Sequence, residues 1–154
     1  MSEQHEHDHD HAAHGRGPGE FLGVVPVFLV DDVAATAQYY RDVLGFDVEF
    51  LFPDDEPTYS RVIRGDAIID FTLSDPEGAR NSVKASGSQR GTDIVIVVSD
   101  VEDVYTDMQE HGASVLERLD ARETGMLDFT IEDPNGYRLT IGGDLDEAGD
   151  DEDV

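Results

Sequence analysis

The sequence predicts an α+β fold made of two tandem copies of one unit: a strand, a helix and three further strands. Three observations predict it. An apolar strand signal followed by a helix-period stripe occurs twice, 68 residues apart; a glycine ends each stripe; and three strand-like segments follow each glycine. A chain of 154 residues is long enough for one domain, or for two small repeated halves, and too short for a large multidomain assembly.

The first copy opens with the apolar run Val25 to Val30, then Asp31 and Asp32, then a stripe of Val33, Ala37, Tyr40 and Leu44 that stops at Gly45. In the second copy Ile94 to Val98 is the strand, Ser99 and Asp100 follow, and Val101, Val104, Tyr105 and Met108 form a stripe that stops at Gly112. Asp32 and Asp100 stand where a side-chain oxygen accepts from the first helical N–H groups, and the glycines where a left-handed C-cap is wanted. His111, at the end of the second helix, suits the negative end of the helix dipole and reads as a cap.

After Gly45, the apolar residues Phe46, Val48, Phe50 and Phe52 alternate with Asp47 and Glu49. Thr58 to Arg64 and Ala67 to Leu73 follow, parted by a turn at Gly65 and Asp66. Ser114 to Leu119, Met126 to Ile131 and Tyr137 to Ile141 are the matching strands of the second copy, with a turn at Asp133, Pro134, Asn135 and Gly136. Module one thus covers residues 21–74 and module two 92–143. Between them residues 75–91, rich in Gly and Ser, set Arg80, Lys84 and Arg90 against Asp75 and Glu77, and read as an exposed, mobile joint.

Residues 1–20 and 144–154 are polar and are expected to be disordered tails, the second carrying seven acids. Five of the six histidines, His5, His7, His9, His11 and His14, lie in the first tail. A His-rich tract is a compositional metal signal, but a tail offers no fixed coordination sphere, so any binding there is expected to be adventitious.

Ten basic residues face 36 acids, a net charge of −26, which argues against nucleic acid and against an anionic membrane surface as partners. No Cys is present, which excludes disulfides and thiolate chemistry. The longest apolar run, Val24 to Val30, is far below the roughly 20 residues that span a bilayer, and no signal-peptide core precedes it, so a cytoplasmic location is expected. Asp outnumbers Glu by 23 to 13, and Lys84 is the only lysine beside nine arginines. Concentrated salt, with a Debye length of about 3 Å at 1 M, screens the resulting self-repulsion. This composition resembles cytoplasmic proteins of salt-loving archaea.

The tandem βαβββ pattern, the V-x-D that leads into each helix, the R-D-V-L-G-F that leaves the first and the D-P-N-G-Y before the last strand resemble the vicinal oxygen chelate superfamily. This is the group of glyoxalases, bleomycin-resistance proteins and extradiol dioxygenases, and the resemblance covers residues 21–143. It implies a paired partial-barrel, glyoxalase-like fold in which each sheet curls, its helix covering one face while the other lines a pocket. Strand periodicity agrees. Phe28 and Val30, Ile69, Phe71 and Leu73, Ile94, Ile96 and Val98, and Leu139 and Ile141 form one apolar set that would pack under the helices. The opposite set is mixed and would form the ligand pocket, assigned to Val25, Val27, Phe50, Tyr59, Asp70, Thr72, Asp93, Arg138 and Thr140.

Metal-dependent members of that family place ligands, usually His and Glu, on the first and last strand of each module. Carried onto this sequence, those positions fall on Val25, Asp93, Asp70 and Thr140, none of them His or Glu. Val25 cannot ligate and Thr140 is a poor ligand, which leaves only the carboxylates Asp70 and Asp93. No cofactor is therefore expected, the alternative being a divalent ion such as Mg²⁺ held by Asp70 and Asp93 with water. For Asp70 the plainer reading is a hydrogen-bonded pocket residue or a salt bridge to Arg138 or Arg61.

Relatives similar to bleomycin-resistance proteins have lost the metal and sequester a small molecule in a groove at a dimer interface. Phe46, Phe50, Phe52, Tyr59 and Phe129 are candidate walls here, with Asp54, Asp55 and Glu56 at a loop able to face a cation. The expectation is a homodimeric small-molecule-binding protein without the usual metal ligands. The alternative is an atypical lyase, isomerase or dioxygenase built around Asp70 and Asp93, with Asp70 as general base and Tyr59 or Arg138 polarising a carbonyl.

Overall fold

A computed structural model of the chain describes residues 15–144. The tail histidines His5, His7, His9, His11 and His14, and the acidic stretch after Asp144, lie outside the described residues.

Module one runs β1 (Val27–Val30), α1 (Val33–Asp42), β2 (Asp47–Phe52), β3 (Tyr59–Arg64) and β4 (Ala67–Leu73). Module two runs β5 (Ile94–Val97), α2 (Val101–Glu110), β6 (Ser114–Ala121), β7 (Met126–Glu132) and β8 (Arg138–Asp144). Each is a four-stranded mixed sheet, ordered β1-β4-β3-β2 and β5-β8-β7-β6, so the first strand of each module lies parallel to its last. The α+β fold of two βαβββ modules is as the sequence predicts. β1 starts two residues late because Pro26, lacking an N–H, precedes it.

Asp32 caps α1, its Oδ1 accepting from Ala35 N at 2.9 Å. Asp100 does not cap α2 with its side chain. It takes up the left-handed conformation (φ 53°, ψ 52°), which Asp tolerates, and its backbone carbonyl instead receives Asp103 N and Val104 N. Glu102 and Asp103 then supply the negative charge near the positive end of α2. Beyond each helix the glycine expectation holds. Gly45 (φ 79°) and Gly112 (φ 96°) turn the chain so that Phe46 N reaches Tyr40 O and Ala113 N reaches Met108 O. His111 is the C-cap of α2, with Nδ1 2.8 Å from Asp107 O.

The core follows the strand alternation. Phe28, Val62, Ile69 and Phe71 are buried against Val33, Ala37 and Tyr40 of α1 and Leu44 just beyond it, and Phe129, Ile131, Leu139 and Ile141 against Val101 and Met108 of α2. Leu73 departs from expectation and is 44% exposed, because it ends its strand beyond the cover of α1. Ile94 and Ile96 are half-buried, since β5 is an edge strand and α2 buries only Val101 and Met108.

The turn between β7 and β8 clasps the modules together. Tyr40 donates to Asp133 Oδ2 at 2.6 Å, Asp133 Oδ1 accepts from Asn135 N and Tyr137 N, and Asn135 Nδ2 donates to Thr36 Oγ1. Tyr137 crosses into module one and stacks on Phe28. Residues 75–91 are mostly exposed, as expected, but the segment is tied to both modules along its first half. Arg80 pairs with Asp31 at 2.8 Å, Asn81 Nδ2 donates to Val27 O, Lys84 reaches Glu132 at 2.6 Å and Ser82 is buried. Charge that a lone segment leaves to solvent is here matched by acids on both modules.

Candidate functional site

In each module the strand face turned away from the helix is assembled in rows. In the first sheet Val27, Asp70, Arg61 and Phe50 lie side by side, and Leu29, Thr72, Tyr59 and Phe52 form the next row. In the second sheet the rows are Val95, Thr140, Thr130 and Glu117, then Val97, Gly142, Asp128 and Asp120, with Arg138 beside Glu132 one row below.

Asp70 is at the centre of the first face. Arg61 grips it with a two-pronged pair, Nε to Oδ1 at 2.7 Å and Nη2 to Oδ2 at 3.1 Å, and Tyr59 also donates to Oδ2. The salt bridge open in the sequence between Arg138 and Arg61 is thus made by Arg61. The hydrogen bond to Asp70 pushes the Tyr59 hydroxyl above its usual range, with burial adding to it. Phe50 lies nearly parallel to Tyr59, ring centroids 6.0 Å apart, and the Arg61 guanidinium sits 5.7 Å from the Phe50 centroid. Val27, Phe50 and Phe52 remain exposed, so the face presents apolar and aromatic surface around a neutralised ion pair. Asp54, Asp55 and Glu56 lie exposed in the turn that follows Phe52.

Asp93 serves a different purpose. Its Oδ1 accepts from Val83 N and its Oδ2 from Arg138 N, both at 2.8 Å, so the carboxylate fastens the connecting segment to β8. Thr140 and Thr130 share a hydrogen bond of 2.8 Å. Val25 belongs to another surface, a cleft of about 970 Å³ between the modules lined by Val25, Ile69, Ile94, Ile96, Met108 and Ile141 among others. Asp70, Asp93, Arg138 and Thr140 do not line that cleft. Phe129 is not an open wall but core, packed on Tyr105 on the helix side of its sheet; Phe46, just before β2, is packed on Tyr40 and lines the inter-module cleft instead of the open face.

Sequence reasoning missed Val95 and Val97, 57% and 74% exposed on the second open face. Their alternation with Ile94 and Ile96 was the available signal. It also missed the role of Tyr137, whose partners lie more than 50 residues away in sequence and leave no local pattern.

The profile of the Glyoxalase/Bleomycin resistance protein/Dioxygenase superfamily matches residues 23–141. The chain belongs to this superfamily. Solved structures in the same fold include TioX from Micromonospora sp. ML1, 16% identical, with a TM-score of 0.62 over 79% of this chain and 94% of that one. A second is the bleomycin-binding protein of Streptomyces verticillus in complex with copper(II)-bleomycin, 20% identical, TM-score 0.61, covering 80% and 97%. A third is a glyoxalase/bleomycin resistance protein/dioxygenase from Alicyclobacillus acidocaldarius, 17% identical, TM-score 0.63, covering 87% and 98%. No curated protein matches the chain.

The divalent metal of metal-dependent superfamily members does not fit the donors present. Of the four aligned positions, Val25 has no donor atom, Asp93 has both oxygens bonded to backbone N–H groups, Asp70 is held by Arg61 and Tyr59, and Thr140 is bonded to Thr130. Among the described residues no three His, Asp or Glu side chains gather where one ion would bind. Also among them, no helix is long and apolar enough to cross a membrane.

Proposed function

We propose that this superfamily member binds a small organic molecule against the open faces of its two sheets, works as a homodimer in a salt-rich cytoplasm, and does so without the family's metal centre. One observation carries the reading. Asp70, Asp93 and Thr140, the polar side chains at the positions where the family resemblance puts metal ligands, are spent on bonds within the protein, while the open faces carry aromatic and apolar surface: Phe50, Phe52, Tyr59 and Val27 on one sheet, Val95 and Val97 on the other. The bleomycin-binding protein of the same fold, solved with copper(II)-bleomycin, supports a small-molecule ligand.

Two features support the dimer. Phe21, Leu22 and Val24, which precede β1, are 99%, 88% and 87% exposed, and β5 is an edge strand. Apolar surface and an open edge of this kind are ordinarily covered by another chain.

Metal analysis of the full chain with the five tail histidines changed to Ala tests the metal-free reading. Less than stoichiometric metal is expected, and one tightly held ion per chain overturns it. Sedimentation in high salt is expected to give twice the chain mass; a monomer overturns the dimer. A thermal-shift screen of small molecules in the same buffer is expected to yield binders whose effect Phe50→Ala or Tyr59→Ala weakens, and the absence of any binder overturns the ligand-binding reading.

A further inference from the structure

Resting on the small-molecule reading above, we propose that the open face of the second sheet receives the carboxylate of a singly charged ligand on the Arg138 guanidinium. Arg138 is 8% exposed, and its buried Nε makes no hydrogen bond. The acid beside it, Glu132, comes no nearer than 3.8 Å from Oε1 to Nε, beyond hydrogen-bond length, and Glu132 Oε2 is taken by Lys84 at 2.6 Å. Asp93, the next nearest carboxylate by register, spends its oxygens on Val83 N and on the backbone N of Arg138 itself. The other paired arginines of the fold, Arg41, Arg61, Arg80 and Arg122, each hold a carboxylate at 2.7 or 2.8 Å; the Nε of Arg80 is also buried without a hydrogen bond, but its guanidinium is held by Asp31. In a chain with 36 acids, the one nearly buried arginine has only a loose ion pair, to Glu132 at 3.8 Å.

A buried guanidinium short of acceptors is costly, and an anion that supplies them regains that cost on binding. Arg138 and Lys84 together offset the carboxylates of Glu132 and Asp93, so the site has no net negative charge of its own to repel an incoming carboxylate. The planar fork of an arginine matches a carboxylate. Further along the same face stand the Thr140 and Thr130 hydroxyls, then exposed Val95 and Val97, which suit an apolar body attached to the acid. Glu117, Asp120 and Asp128 share that face and repel a multiply charged anion, which is why a monocarboxylate is favoured over a phosphate ester.

The test uses the full chain in 1 M KCl, with phenylacetate and its neutral isostere phenylacetamide as probes, titrated by ligand-observed NMR. Phenylacetate is expected to bind at least tenfold more tightly than phenylacetamide. Arg138→Gln is expected to abolish that preference, and Glu132→Gln, which removes the competing carboxylate, to tighten phenylacetate severalfold. Equal affinity for acid and amide overturns the inference while leaving small-molecule binding in place, and a preference that survives Arg138→Gln overturns it as well. If Arg138→Gln does not fold, Glu132→Gln decides, and unchanged or weaker phenylacetate binding there is fatal. Failure of both probes to bind also overturns it, whereas the small-molecule reading falls only with the broad screen.

Discussion

The Tyr137 ring lies flat on that of Phe28, centroids 4.0 Å apart and planes 1° from parallel, so the last turn of module two is seated on the first strand of module one. The Tyr137 hydroxyl stands 2.7 Å from Leu29 O and from Asn81 Oδ1, and accepts from Leu29 N at 2.9 Å. One side chain thereby joins both modules and the segment between them. Tyr137→Phe keeps the stack but strands those partners and is expected to cost about 1–3 kcal/mol. Tyr137→Ala also opens a cavity and is expected to cost about 3–5 kcal/mol. Chemical unfolding of both variants measures the difference, and equal losses would show that the hydroxyl, not the ring, carries the clasp.

Asp133, in the same clasp, has its carboxyl raised above the usual range by burial, with the charge of Asp93 adding; hydrogen bonds from Tyr40, Tyr137 N and Asn135 N pull the other way without cancelling it. An acid whose folded pKa exceeds its unfolded value binds more protons when folded, so its contribution falls as pH rises from the unfolded value of about 3.8 through the folded one. The stability of the wild type relative to Asp133→Asn is therefore expected to decrease with rising pH across that window. Melting temperatures of the pair from pH 3.5 to about 7 in high salt check the slope.

Gly143 allows α2 to sit close on its sheet. A Cβ there would stand 2.7 Å from Val98 O and 3.5 Å from Val101 Cβ, and Val98 cannot retreat without losing the bond from its N to Gly142 O. Gly143→Ala is expected to destabilise by about 1–3 kcal/mol through overpacking. Denaturant midpoints measure this, and a neutral result would mean that β5 slides freely against β8.

With a charge of −26 on 154 residues, salt is expected to stabilise this fold. Between 0.1 and 1 M KCl the Debye length falls from about 10 Å to about 3 Å, and the melting temperature is expected to rise steeply over that range. Exchanging KCl for sucrose at equal osmolality should give much less of the gain. A flat melting temperature would remove the basis for reading the acid excess as an adaptation to salt.

Much of the scaffold was legible in local patterns. The repeat, the helix stripes, the cap at Asp32, the glycine stops at Gly45 and Gly112 and the helix-facing strand positions each depend on residues within a turn or two of one another. Asp100 shows the limit. Its place in the pattern matches that of Asp32, but the turn out of β5 takes a left-handed residue, and that choice depends on how β5 meets α2. Leu73 fits the apolar alternation and is exposed because cover comes from α1, not from its own strand.

By itself the sequence determined the family and the doubled βαβββ order, because these are matters of residue type and spacing along one chain. Only the tertiary structure decided which carboxylates are already engaged. Asp70 meets Arg61 across neighbouring strands, Asp93 is drawn off by Val83 and Arg138, and Glu132 is claimed by Lys84. Each charge takes the partner that folding brings within reach, and in so acidic a chain that proximity, not composition, leaves Arg138 only a loose pair with Glu132 and no hydrogen bond at its Nε.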